Sequence, residues 1–198
     1  RIPDAYFQAI GSGTGAIAVW ENNLRLIEDG RWGLHKMRLY LSQNEPFTIM
    51  YDSWKLHSRQ LVGISPDDAR KAAAEIDAKV LSNRKPPYSL AGGLFDAMED
   101  AGGDMFKADN EELRYWKKRF AELEGIDIHD APAVAVASLA QAVNEGVVKK
   151  DETIMLNITG GGEELAKSEH EVFYAKPHLV LDPALPPEDI VSAVKDLF

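Results

Sequence analysis

The stretch Ala5-Tyr6-Phe7-Gln8-Ala9-Ile10-Gly11-Ser12-Gly13-Thr14-Gly15-Ala16-Ile17-Ala18-Val19-Trp20 decides the fold. Residues 5–10 are a short, apolar, aromatic-containing run that Gly11 stops, the pattern of a buried strand. Beyond the glycines, Ile17, Trp20, Leu24 and Ile27 recur at helical spacing as far as Gly30. The order is strand, glycine loop, helix. Glycine accepts positive φ and lets a backbone come close to an anion. Successive N–H groups form an anion nest, and a helix N-terminus adds a favourable dipole. Ser12 and Thr14 add hydroxyls. The guest this loop fits is a phosphate.

Other readings of the loop stay open on the residues alone. A tight turn needs no ligand. A dinucleotide fingerprint is met by Gly11, Gly13 and Ala16, but its acid belongs roughly 20 residues on, and Glu45 comes late. A P-loop is disfavoured, because the lysine and hydroxyl of that motif are missing after Gly15.

Working outward, residues 37–41 read as a second strand, while residues 46–54 are apolar but too broken to assign. Residues 66–81 predict a helix, with Pro66 suited to its first turn, Asp67 and Asp68 to its dipole, and alanines through its middle. A basic, proline-containing loop follows at 83–88, then a helix over 90–101 ended by Gly102-Gly103, and a strand at 105–108. Residues 109–124 are the clearest helix: Asp109 caps, Glu112 stands three residues later, and Gly125 closes. A strand stub at 126–128, an alanine-rich helix at 133–143, a strand at 153–159 entering Gly160-Gly161-Gly162, and an amphipathic helix at 187–197 complete the chain. Strands alternating with helices at these spacings predict an α/β fold, a mainly parallel twisted sheet flanked by helices.

Composition narrows the function. A net charge of −10 repels nucleic-acid backbones, so no nucleic-acid partner is expected. No cysteine is present, which excludes thiolate chemistry and disulfides and suits a cytoplasmic setting. No run of about 18 apolar residues exists, so no membrane partner is expected. His35, His57, His170 and His178 lack ligand spacing, so no metal is expected.

Residues 9–18 followed by Trp20-Glu21 resemble the phosphate loop of fold-type II pyridoxal 5'-phosphate (PLP) enzymes of the threonine synthase type. Two further segments match in order: Glu124-Gly125-Ile126 with Ala131-Pro132-Ala133 and its alanine-rich helix, and Ile158-Thr159-Gly160-Gly161-Gly162. Within that group the chain is most similar to archaeal cysteate synthase, through residues 82–88 and 157–164. The resemblance implies the large C-terminal domain of the tryptophan synthase β-like PLP fold. It implies a cofactor site formed by Gly11, Ser12, Gly13, Thr14 and Gly15 around the PLP phosphate, with Thr159 as the neutral partner of the pyridine nitrogen.

The implied reaction is a β-replacement in which O-phosphoserine and sulfite give cysteate and phosphate, for coenzyme M biosynthesis. The alternatives are threonine synthase, acting on O-phosphohomoserine, and a non-covalent phosphate- or nucleotide-binding module. Arg84 and Lys85, in a loop stiffened by Pro86-Pro87, are candidates for binding the substrate phosphate or sulfite. The bland alternative is a solvated basic loop. The Schiff-base lysine of the family precedes the phosphate loop. The chain opens at Arg1, and every lysine in it follows the loop in unmatched contexts. The expectation is therefore one domain, 1–198, lacking the lysine-bearing part. No catalytic residue is assigned, the fragment alone is expected to be inactive, and a homo-oligomer is expected.

Overall fold

β1 (Ala5–Ala9) runs parallel to β2 (Arg38–Asn44) on one side and to β4 (Ile154–Leu156) on the other, and β3 (Gly103–Ala108) flanks β2. The sheet order is β3-β2-β1-β4. A computed structural model describes residues 1–195 and 197. The chain divides into two compact units, residues 1–165 and 166–198. The first holds the whole sheet. The second contains the last described helix, α8 (Pro187–Lys195); Asp196, within the span expected to reach 197, lies outside the described residues.

Strand periodicity sets the layers. Tyr6 and Ile10 point to one face with Leu39, Leu41 and Met105. That face packs on α1 (Thr14–Asp29), α2 (Ile49–Lys55), α3 (Pro66–Glu75) and α4 (Leu94–Ala101). Phe7 and Ala9 point to the other face with Tyr40, Phe106 and Ala108. There α6 (Asp130–Asn144) lies against the sheet, and α5 (Asn110–Glu124) packs on α6. Nine of the 15 residues of α6 are buried, from Ala131 through Ser138 and at Ala142. Its small side chains let it approach the strands closely, as a helix apolar around its girth requires. The expected α/β parallel architecture is what forms.

The capping expectations at α5 hold. Asp109 accepts hydrogen bonds from the Glu111 and Glu112 amides, the Asp109 amide donates to the Glu112 carboxylate, and Gly125 closes the helix at φ 72°. Several boundaries move. β2 runs past 41 to Asn44, so Ser42, Gln43 and Asn44 are fully buried polar residues at the strand's end. Within the unassigned stretch 46–54 lies the start of α2, whose Met50 and Tyr51 amides donate to Gln43 Oε1, both at 2.9 Å. Gly102 ends α4, but Gly103 already belongs to β3, where a Cβ would stand 2.0 Å from the Leu39 carbonyl oxygen.

The largest correction concerns residues 66–81. The helix stops at Glu75, Ile76 turns extended, and a 3₁₀ turn follows at Lys79–Leu81. Two asparagines cause the break. The Asp77 amide donates to Asn110 Oδ1 and the Ala78 amide to Asn44 Oδ1, each at 3.0 Å. Asn110 Nδ2 donates to the Glu75 carbonyl at 2.9 Å, and Asn44 Nδ2 to the Ala108 carbonyl and Asn110 Oδ1. These side chains take the amides that another helical turn would have used.

Removing this clamp tests its role. Asn44→Ala strands buried amide and carbonyl groups and should cost about 2–3 kcal/mol, read as a lowered urea midpoint. Asn22→Ala, on the exposed side of α1, should shift stability by less than about 0.5 kcal/mol.

Candidate cofactor site

The glycine loop leaves β1 at the C-terminal edge of the sheet and enters α1. The chain returns from the opposite face to form β4 beside β1, so the crevice between these two strand ends is a topological switch point. The Asn157 amide still donates to the Phe7 carbonyl at 2.9 Å, after which the β4 strand peels away. Thr159 and the glycine loop thus depart from the ends of adjacent strands.

Two of the loop glycines answer to their own neighbours. Gly13 is the N-cap of α1 at φ 80°, a left-handed conformation, with Leu94 Cδ2 2.7 Å from where a Cβ would stand. A Cβ on Gly11 would lie 2.9 Å from the Val80 carbonyl oxygen. The N-cap Gly13 has no side chain with which to cap α1, and no acid occupies the first turn. The Ser12 and Thr14 hydroxyls meet at 2.8 Å, and Thr14 is exposed. The N-terminal end of a helix with hydroxyls beside it and no acid in its first turn makes a cradle suited to a phosphate dianion, the Thr14 amide donating meanwhile to Ser12 Oγ at 3.3 Å.

Thr159 lines a cleft of about 480 Å³ with Val80, Lys79, His129 and Asp130. Val80 therefore connects the cleft wall to Gly11. The strand expected over 153–159 is shorter because residues 160–162 pair elsewhere: Ile128 and Gly161 form an antiparallel bridge, and the expected stub at 126–128 is this bridge alone. The His129 amide donates to the Gly160 carbonyl at 3.0 Å, and the Gly162 amide to the Asp127 carbonyl at 2.8 Å. His129 Nε2 lies 3.0 Å from Glu163 Oε1, and its ring crosses Gly160, where a Cβ would meet Nδ1 at 2.7 Å. Asp127 accepts from the amides of Glu163 and Glu164, which begin α7 (Glu163–Glu169). Desolvation pushes the Asp127 carboxyl upward, but the backbone N–H donors outweigh it and hold it below the usual carboxylate range. This contact therefore stabilises above that range and is lost as pH falls through the lowered value.

The cleft's charges are satisfied by neighbours. Asp77 takes a bidentate grip from Arg114 at 2.7 and 3.0 Å, and Asp130 takes Lys117 at 2.7 Å. The Lys79 ammonium holds the carbonyls of Ala73 and Ala74 at the end of α3. Glu45, the acid a dinucleotide ribose would need, is held by Lys107 at 2.7 Å. Arg84 and Lys85 are not brought to Thr159; they line a separate cleft of about 640 Å³ with Ile64, Pro66, Ala69, Ser82 and Asn83. No metal-binding cluster of acidic, His or Cys residues occurs among the described residues, and no described helix is long and apolar enough to cross a membrane. Asn44, Asn110, Asp127 and Lys79 had no signal in the sequence, since only tertiary contacts give them their roles.

No protein-family profile matches the chain. Its sequence is 47% identical over 192 residues to cysteate synthase of Methanosarcina acetivorans, covering 96% of this chain. The chain is a relative of the cysteate synthases. It is 46% identical over 197 residues to the enzyme of that name from Methanocella paludicola, covering 98% of this chain. The chain spans 46% of the length of each of these relatives.

Among solved structures, it matches the processed threonine deaminase isoform 2 of Solanum lycopersicum at TM-score 0.58 and 15% identity, over 84% of this chain and 43% of that one. A pyridoxal 5'-phosphate-dependent aspartate racemase matches at TM-score 0.57 and 11% identity, over 81% of this chain and 44% of that one. Serine racemase from Dictyostelium discoideum matches at TM-score 0.56 and 16% identity, over 82% of this chain and 45% of that one. The fold is that of the fold-type II PLP enzymes.

Gly161, at φ 152° with a Cβ position 2.3 Å from the Asp127 carbonyl oxygen, tests how Thr159 is held. Gly161→Ala should speed hydrogen exchange at the His129 and Gly162 amides while the β1 and β2 amides keep their protection. Unchanged exchange at those two amides would contradict the stapling described here.

Proposed function

We propose that this chain is the cofactor-phosphate-binding half of a PLP-dependent synthase that converts O-phosphoserine and sulfite to cysteate and phosphate. The observation that carries the reading is the departure of a glycine loop, with no acid in the helix turn that follows it, and of Thr159 from the ends of adjacent parallel strands. Similarity to cysteate synthases along nearly the whole chain supports the choice of reaction.

Gly11 to Gly15 would hold the cofactor phosphate through the amides at the start of α1 and the Ser12 and Thr14 hydroxyls. Thr159 would meet the pyridine nitrogen with a neutral hydroxyl, which leaves that nitrogen without the protonating influence of a carboxylate. When bound, PLP supplies the electron sink that lets an amino acid lose its α-proton and then its β-substituent. The chain's own part is to bind and orient. The parallel strands fix where the loop and Thr159 stand, and the 3₁₀ turn behind Gly11 keeps the loop from relaxing.

No lysine of this chain is assigned as the imine-forming base. In this reading that residue belongs to the share of the relatives' length beyond this chain, residues 1–198 act as a C-terminal PLP-binding domain, and the chain alone turns over no substrate. Coenzyme M biosynthesis, cytoplasmic placement and a homo-oligomer follow from the family likeness rather than from geometry.

Titration with PLP, pyridoxal and NAD, followed by intrinsic tryptophan fluorescence, checks the reading. PLP should bind, pyridoxal at least about tenfold more weakly because charge-assisted phosphate contacts are lost, and Ser12→Ala/Thr14→Ala should weaken PLP alone. Binding of NAD with no response to PLP would sink the proposal.

A further inference from the structure

This protein carries a net charge of −10, and its arginines are almost all committed. Eight of the nine reach a carboxylate at 3.9 Å or closer. Arg84 is the exception: among the described residues it has no carboxylate partner, and neither does its neighbour Lys85. Both are exposed and face a cleft of about 640 Å³ whose lining contains no acid. Asp67 and Asp68, which lie in the chain between the lining residues Pro66 and Ala69, bond to Arg70 at 3.2 Å and to the Ser65 hydroxyl at 2.7 Å. A guanidinium and an ammonium left unpaired in so acidic a surface make a local positive field where the rest of the molecule repels anions.

The wall adds neutral groups. Asn83 Oδ1 accepts the Lys85 amide at 3.0 Å, which leaves the Asn83 Nδ2 group to donate. Ser82 lines the same cleft, its hydroxyl donating to the Lys79 carbonyl at 2.7 Å and its oxygen left to accept. The position also matters. Residues 82–85 continue directly from Val80 and Leu81, whose backbone lies against Gly11. The cleft is thus one short segment away from the glycine loop, on the same strand of chain, yet lined by different residues.

We propose that Asn83, Arg84 and Lys85 form a second oxyanion site, separate from the glycine loop, for a small inorganic oxyanion of the phosphate or sulfite type. A planar guanidinium offers a pair of parallel donors to two oxygens, and the ammonium and amide serve a third. That this anion is a reactant rather than a bystander rests on the function proposed above; the site itself does not.

The test is calorimetric titration of the protein with inorganic phosphate and with sulfite, in low salt, before and after saturation with PLP. One or both anions should bind with PLP present, and the pair of titrations identifies which. Arg84→Ala should weaken binding at least about tenfold, as the loss of a charged hydrogen-bonding partner does. Arg84→Lys should recover part of it. Lys149→Ala/Lys150→Ala, which removes another pair of adjacent cations, should leave it unchanged. Circular dichroism confirms that each variant folds. The site is overturned if neither anion binds, if PLP displaces both completely, or if the Lys149/Lys150 variant loses as much as Arg84→Ala. Failure of PLP itself to bind would count against the proposed function and leave the second site to be judged by the unsaturated titration.

Discussion

The amide of Asn44, buried where β2 ends, holds together the parts of this molecule that face the cleft. It bonds to the end of β3, to Asn110 at the start of α5, and to the Ala78 amide. Through those contacts the chain after α3 is pulled down over the strand ends and forced into a 3₁₀ turn. The turn's backbone then limits Gly11 to a glycine, and Val80 and Lys79 become one wall of the cleft. A buried amide with its polar atoms satisfied is a strong local constraint, because each unmade bond would carry the full cost of desolvation. The site is shaped by a residue that touches neither the glycine loop nor Thr159 directly.

How much of this was legible follows from the range of each signal. The strand, glycine loop and first helix are local patterns and read correctly, as did the capping box at Asp109 and Glu112. The helix over 66–81 was misread past Glu75 because its alanines and charges favour a helix throughout. The competing acceptors, Asn44 and Asn110, lie 34 and 33 residues from the amides they take. The strand over 153–159 was overextended for the same kind of reason: residues 160–162 leave to bridge 127–128. Gly161 and Gly162 were visible as glycines, but their positive φ answers to that bridge rather than to a strand end. The loop glycines at 11 and 13 were read as making room for an anion; the neighbours found at their Cβ positions are Val80 and Leu94.

Charge placement ties the two clefts together. The cleft beside Thr159 has its carboxylates covered, by Arg114 on Asp77 and Lys117 on Asp130, so its walls present little free negative charge. The cleft beside Arg84 has cations and no acid. In a molecule that is acidic overall, these are two clefts whose lining carries little uncompensated negative charge. The chain accounts for 46% of the length of its cysteate synthase relatives.

The most direct measurement is an amide nitrogen–proton correlation NMR spectrum recorded as PLP is added. The account predicts that the largest shifts fall on the amides of residues 11–16 and on Thr159 and Gly160, with the Asn83 to Lys85 amides little changed. Shifts centred elsewhere, with residues 11–16 unmoved at saturation, would contradict it.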